Sequence, residues 1–413
     1  ALRHALRGLP RLIMATAERS GPSLAPYYLI LFGLTAGLGG VVVLLAEFKN
    51  ELGFSNFGIG LAISSGFATA FVASLLMAPF ADRGRAPLML RTSLILGGLS
   101  LVTLAVGDEL WHYVLGRSLY GFALGTGGPA VRRTVIVADP KNLGRNLGRL
   151  GAFDVAGFMV SPLLVTGITA VAGFRTSFWA LAAFLFLLLP ASFKARTDSA
   201  PQDTERLGLS GLLRIRRLVG ALVMAAAYFV FIGAFESVWI LEMDFRGADQ
   251  TTIGIALTLA ALPMPLLSPL GGVLAQRYGA RRWAVGTMAG MVIIIFFYGL
   301  VPGVWWLVAV TTLTSVIEGF GFPTIPMLAS AAVPEERQAA AQGLLSAVEV
   351  AAGAISSLTI AFIYGMSGDT IAWTVTGITM AVLLIIGTVL TQPEDHKRVR
   401  PGVPTEPLRR LYE

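Results

Sequence analysis

The chain has 413 residues, 55% of them hydrophobic and 13% charged, with a formal net charge of +7, three histidines and no cysteine. That balance excludes a soluble multidomain protein and reads as a polytopic membrane protein. Without cysteine there is no disulfide, thiol nucleophile or thiolate-bound metal, and His4, His112 and His396 stand at no ligand spacing, so neither metal nor cofactor is expected.

Residues 1–14 intersperse arginines among leucines around Gly8 and Pro10, and read either as an amphipathic segment on the membrane face or as a frayed tail. Six apolar runs follow near 27–48, 57–80, 88–106, 110–137, 147–172 and 177–193. Each is a helix long enough to cross about 30 Å of hydrocarbon. Residues 194–217 are charged and breaker-rich, a flexible linker too short for a catalytic domain. Six more runs lie near 218–243, 252–274, 283–301, 304–332, 338–364 and 372–390. The expected architecture is an all-α membrane protein of twelve spans: an N-terminal six-helix bundle (1–193), the linker (194–217), a C-terminal bundle (218–392) and a charged tail (393–413).

Placing both termini in the cytoplasm puts 27 of the 31 Lys and Arg inside, Arg132 and Arg133 among them, leaving only Lys49, Arg175 and Arg246 outside and Arg117 within the fourth span. The positive-inside rule then orients the chain, and because topology accounts for the basic loops, nucleic acid is no expected partner.

The stretch Met77-Ala-Pro-Phe-Ala-Asp-Arg-Gly-Arg85 recurs 194 positions later as Gly271-Gly-Val-Leu-Ala-Gln-Arg-Tyr-Gly-Ala-Arg-Arg282. The same offset relates Gly53 to Gly247, Gly125 to Gly319, Pro129 to Pro323 and Pro140 to Pro334, the mark of an internal duplication. Twelve spans split six and six, with a basic loop after spans two and eight, resemble the major facilitator superfamily. The family loop Gly-x-Leu-Ala-Asp-Arg-x-Gly-Arg-Arg appears one residue short in the first copy and with Gln276 for the acid in the second. Arg117-Ser-Leu-Tyr-Gly121-Phe-Ala-Leu-Gly125 is similar to a fourth-span motif linked in the family to proton handling. Gly148, Gly157 and Ser161-Pro162 resemble the fifth-span pattern of drug:proton antiporters, although Val165 and Thr166 replace its closing glycines.

The resemblance implies alternating access about a midplane cavity lined by spans one, four, seven and ten. It also implies a conformational latch at Asp82, Arg83, Arg85, Gln276, Arg277 and Arg281, with Asp82 docking at the helix start near Pro334-Glu-Glu-Arg337. Five ionisable residues, Arg117, Asp154, Glu236, Glu318 and Glu349, fall inside spans and are functional candidates by default. Four acids against one arginine cannot all stay ionised in low dielectric, so protons are expected to bind and leave there. Asp154 and Glu349 are 195 residues apart, equivalent places in the two halves. Glu47 and Glu242, also 195 apart, read as interfacial residues or a gate pair.

Phe229, Phe231, Phe235, Trp239, Met264 and Phe322 are candidate cavity linings, and the excess of acids favours cationic or neutral amphiphiles over anions. No nucleotide loop of the P-loop type and no Gly-x-Ser-x-Gly occur, and no enzymatic activity is expected. The expected function is a proton-coupled exporter of a hydrophobic or cationic small molecule, in the inner membrane and monomeric. The alternatives are a proton-coupled importer of a nutrient or metabolite, and a non-transporting receptor or assembly factor on the same scaffold.

Overall fold

The computed structural model describes residues 23–44, 52–54, 56–193, 209–248 and 250–392. The N-terminal segment, Glu47, most of the linker and the tail lie outside them. The described residues hold twelve membrane-crossing segments and no strand. In lipid every backbone polar group must be paired within its own segment, which leaves the helix as the form for runs this apolar. In the first half these are α1 (Ala25–Val43), α2 (Asn56–Phe80), α3 (Ala86–Val106), α4 (Leu110–Ala138), α5 (Leu143–Ala172) and α6 (Phe174–Phe193). The second half has α7 (Arg216–Phe245), α8 (Gln250–Ala261 and Pro263–Tyr278), α9 (Ala280–Tyr298), α10 (Val304–Gly321 and Thr324–Ala331), and α11 and α12 within Gln338–Leu390. A single turn of helix, Leu209–Leu212, precedes α7.

The breaks have local causes. Pro263 and Pro323 lack the N–H that would continue α8 and α10, and both helices restart there. Gly368, at φ 81° and ψ −178°, separates α11 from α12 in a backbone region that side chains rarely enter. Gly173, its equivalent in the first half, also sits at φ 81°, and Gly84 and Gly279 turn the two copies of the basic loop at 76° and 94°. The duplication read from the sequence is thus a duplication of turns.

By length and composition eight helical stretches can cross a membrane, and two of them, Leu61–Val106 and Glu335–Leu390, each hold two spans across a turn. The remaining two are α1, which is short, and α4, whose arginines and glycines lower its hydropathy. Large side chains such as Leu187, Leu266 and Leu358 stand exposed on the bundle surface, as a lipid-facing wall requires. Since the number of crossings in each half is even, residue 23, both ends of the linker and residue 392 share one face, here termed the linker side.

The halves meet on that side. Gly144 of α5 and Gly272 of α8 pass so closely that a Cβ on either would strike the other's carbonyl. Gly148 lies against the Ser268 carbonyl, and Gly343 of α11 against Ser74 and Ala78 of α2. Small residues let these helices approach to backbone contact, which is how membrane helices gain packing where the hydrophobic effect offers none.

Candidate transport site

Above this closed floor, between the halves, lies a cavity of about 90 Å³. The first half contributes Arg132 of α4 and Asp154 of α5. The second contributes Tyr228, Glu318, Phe322 and Glu349, from α7, α10 and α11. Arg132 Nη1 donates to Ser346 Oγ at 3.0 Å and to Glu349 Oε2 at 3.3 Å, an ion pair that spans the two halves with side chains 15% and 12% exposed. Asp154 lines the same cavity within electrostatic reach of that guanidinium. On the opposite wall the Tyr228 hydroxyl donates to Glu318 Oε1 at 2.8 Å, and the Tyr228 ring meets Phe322 edge-on at 6.4 Å. Glu318 is 8% exposed and has no cationic partner among the described residues. One guanidinium faces three carboxyl groups, a balance that a low-dielectric site holds poorly unless protons or a cationic ligand join it.

The structure brings together Asp154, Glu318 and Glu349 but not the other intramembrane candidates. Glu236 is exposed and lies outside this cavity. It stands seven residues beyond Phe229, a lining residue, on the same face of α7 and about 10 Å nearer the far side. Arg117 sits in the far half of α4, about 22 Å along the helix from Arg132. It is 3% exposed, packs against the Gly66 backbone of α2, and forms no ion pair among the described residues.

Two expectations about the lining are corrected. The cavity draws on α4, α5, α7, α9, α10 and α11, and α1 is absent from it. Of the aromatic candidates, Phe322 and Phe229 line it, whereas Trp239 is fully buried, donating from Nε1 to Thr311 at 2.9 Å, and Phe235 packs at a tilt against Trp239. Phe231 and Met264 are likewise core residues. Glu242 is no solvated gate residue: it is fully buried, pairs with Arg246 and accepts from Trp373 Nε1 at 2.6 Å, which ties α7 to α12.

The sequence counts Arg132, like Arg133, with the cytoplasmic arginines rather than the intramembrane charges, although the fourth apolar run and α4, which ends at Ala138, both include it. One helical step of 100° separates the two side chains. Arg132 points into the cavity, and Arg133 Nε reaches Asp82 Oδ1 at 2.8 Å. Asp82 also accepts from the N–H groups of Ala339 and Ala340, both at 2.8 Å, and so caps the start of α11 from the other half. The docking point is therefore the first turn of α11, which follows directly on Pro334-Glu-Glu-Arg337. In the second copy Gln276 does the equivalent work: its Oε1 accepts from Gly144 N–H at 2.9 Å and its Nε2 donates to the Lys141 carbonyl at 2.7 Å, at the start of α5. The loop arginines lie elsewhere. Arg83 and Arg85 cover Phe80, Arg277 covers Tyr278, and Arg281 bonds the Thr388 carbonyl at the end of α12 within its own half.

Comparison with known proteins agrees with this geometry. The sequence profile of the Major Facilitator Superfamily matches residues 27–246 and 217–411. The class D tetracycline resistance protein of Salmonella ordonez is 27% identical over 375 residues, covering 85% of this chain and 91% of that one. The multidrug resistance protein MdtG of Dickeya zeae is 26% identical over 307 residues, covering 70% and 74%. A crystal structure of the superfamily transporter FucP in an outward conformation superimposes with a TM-score of 0.74 at 15% identity, over 90% of this chain and 99% of that one. A chain of two duplicated six-helix bundles, capped across each other at Asp82 and Gln276 around a central polar cavity, is a member of the Major Facilitator Superfamily.

Proposed function

We propose that this protein is a proton-coupled exporter of hydrophobic or cationic small molecules that works by alternating access. The observation that carries this reading is the inter-half pair Arg132–Glu349, with Asp154 beside it, in a cavity whose other wall offers a carboxylate framed by aromatic rings. A proton on Glu349 or Asp154 removes a partner of Arg132 and loosens the floor of the cavity. A cation at Glu318 does the work of a counter-charge there. The relatives named above are a tetracycline and a multidrug resistance protein, which favours export of drug-like compounds. The arginine count favours a cytoplasmic linker side, and the face on which the halves are closed is then the inward one.

The latch residues fit the same cycle. Asp82 and Gln276 hold helix starts of the opposite half while the linker side is shut, and both must let go for it to open. The test is a proteoliposome assay with a pH gradient imposed across the vesicle. Uphill movement of tetracycline or a lipophilic cation, with counterflow of protons, is the expected result. Co-directional movement of proton and solute makes the protein an importer, and no solute-dependent proton flux with any of these compounds rejects the coupled-export reading.

A further inference from the structure

Arg83 and Arg85 take no part in the contact that Asp82 makes. Their guanidinium carbons lie 5.3 and 5.8 Å from the centroid of the Phe80 ring, while Asp82 between them is occupied by Arg133 and two backbone N–H groups. Phe80 and Arg85 border a second cavity, of about 160 Å³, bounded by α2, α3 and α4 on the linker side. Its wall is otherwise apolar, with Met77, Leu88, Met89 and Phe122, except for Thr92 and Thr126. Thr126 is 2% exposed and its Oγ1 has no hydrogen-bond partner among the described residues. Leaving a buried hydroxyl unsatisfied costs about 1–3 kcal/mol, and a ligand that supplies an acceptor relieves it.

The mouth of this slot faces lipid, since Leu76 and Leu88 beside it are 56% and 57% exposed. Further along α3, Arg91 lies 4.3 Å over the Phe193 ring, with its Nε also unpartnered among the described residues. No ion pair joins Arg83, Arg85 or Arg91 to a carboxylate among the described residues. Three guanidinium groups therefore stand uncompensated where the spans reach the membrane surface. Thr126 lies seven residues, about 10 Å, below the level at which Arg133 meets Asp82. Arg85 and Thr126 nevertheless line one and the same cavity.

We propose that this slot binds one anionic phospholipid, its phosphate on Arg85 and Arg83, an ester carbonyl accepting from Thr126, and the chain in the apolar groove. The site lies outside the transport cavity and does not depend on what the protein exports. It is tested by native mass spectrometry of the full-length protein titrated with phosphatidylglycerol and phosphatidylethanolamine of equal chain length. The expected result is at least fivefold preferential retention of phosphatidylglycerol, lost in the double variant Arg83→Gln/Arg85→Gln and kept in Arg282→Gln, an exposed arginine on the same side. Equal retention of the two lipids, an undiminished preference in the double variant, or an equal loss in Arg282→Gln overturns the proposal. If the double variant does not fold, Thr126→Val carries the test: phosphatidylglycerol retention falls at least threefold, or the site is not there.

Discussion

At the residue scale the central fact is that Arg132 answers to acids in both halves. Removing Glu349 leaves Asp154 as its remaining acidic partner; removing Arg132 leaves two carboxyls without a counter-charge. Arg132→Gln and Glu349→Gln are therefore expected to be strongly non-additive, with a coupling of about 1–3 kcal/mol in a double-mutant cycle read by thermal unfolding of the purified protein. Additive losses would show that the 3.3 Å pair is incidental. Glu318 differs in having, among the described residues, only the Tyr228 hydroxyl as a side-chain partner. Glu318→Gln is expected to weaken binding of a lipophilic cation at least tenfold, the loss of a charge-assisted contact worth about 1.5–3 kcal/mol, and to spare a neutral drug of similar size. Titration by fluorescence with both ligands decides it, and equal weakening of the two removes Glu318 from the cation site.

At the element scale the two caps are unequal. Asp82 puts a charge on the start of α11 and draws in Arg133; Gln276 offers the start of α5 a neutral amide. Asp82→Asn is expected to destabilise the state closed on the linker side by about 2 kcal/mol, a population shift of about thirtyfold. Gln276→Ala is expected to cost it about 1 kcal/mol. Labelling of single cysteines introduced on each face reports the change, and unchanged labelling in both variants rejects a latch at either cap. The packing of α5 on α8 makes a stronger demand. Gly272→Leu drives a side chain into the Gly144 backbone and is expected to hold the linker side open, abolishing transport while the protein still folds.

At the scale of the whole molecule, closure on the linker side follows from where the small residues lie. Gly144, Gly148, Gly272 and Gly343 all fall in the linker-side parts of their helices, and the exposed Glu236 lies towards the other face. Acidification is expected to open the linker side by adding a proton beside Arg132, and Glu349→Gln is expected to blunt that response; spin-label distances across the linker side measure both. Much of this was legible without coordinates. Twelve spans, the duplication and the isolated intramembrane acids follow from composition and spacing, because a bilayer forces each apolar run into one helix of known length and makes every charge within it conspicuous. Which charges meet was not legible. Arg117 and Arg132 share one helix, and whether either faces a cavity, a neighbouring backbone or lipid depends on how α4 is rotated against α2 and α11, which no local pattern encodes. Trp239 and Phe322 were equal candidates by residue type, and only packing against Thr311 or against Tyr228 separated core from cavity. The chain alone determined the number of helices and placed Arg117, Asp154, Glu318 and Glu349 inside them. Tertiary structure alone decided which buried charges face each other, because pairing across two halves is set by helix rotation and approach rather than by distance along the sequence.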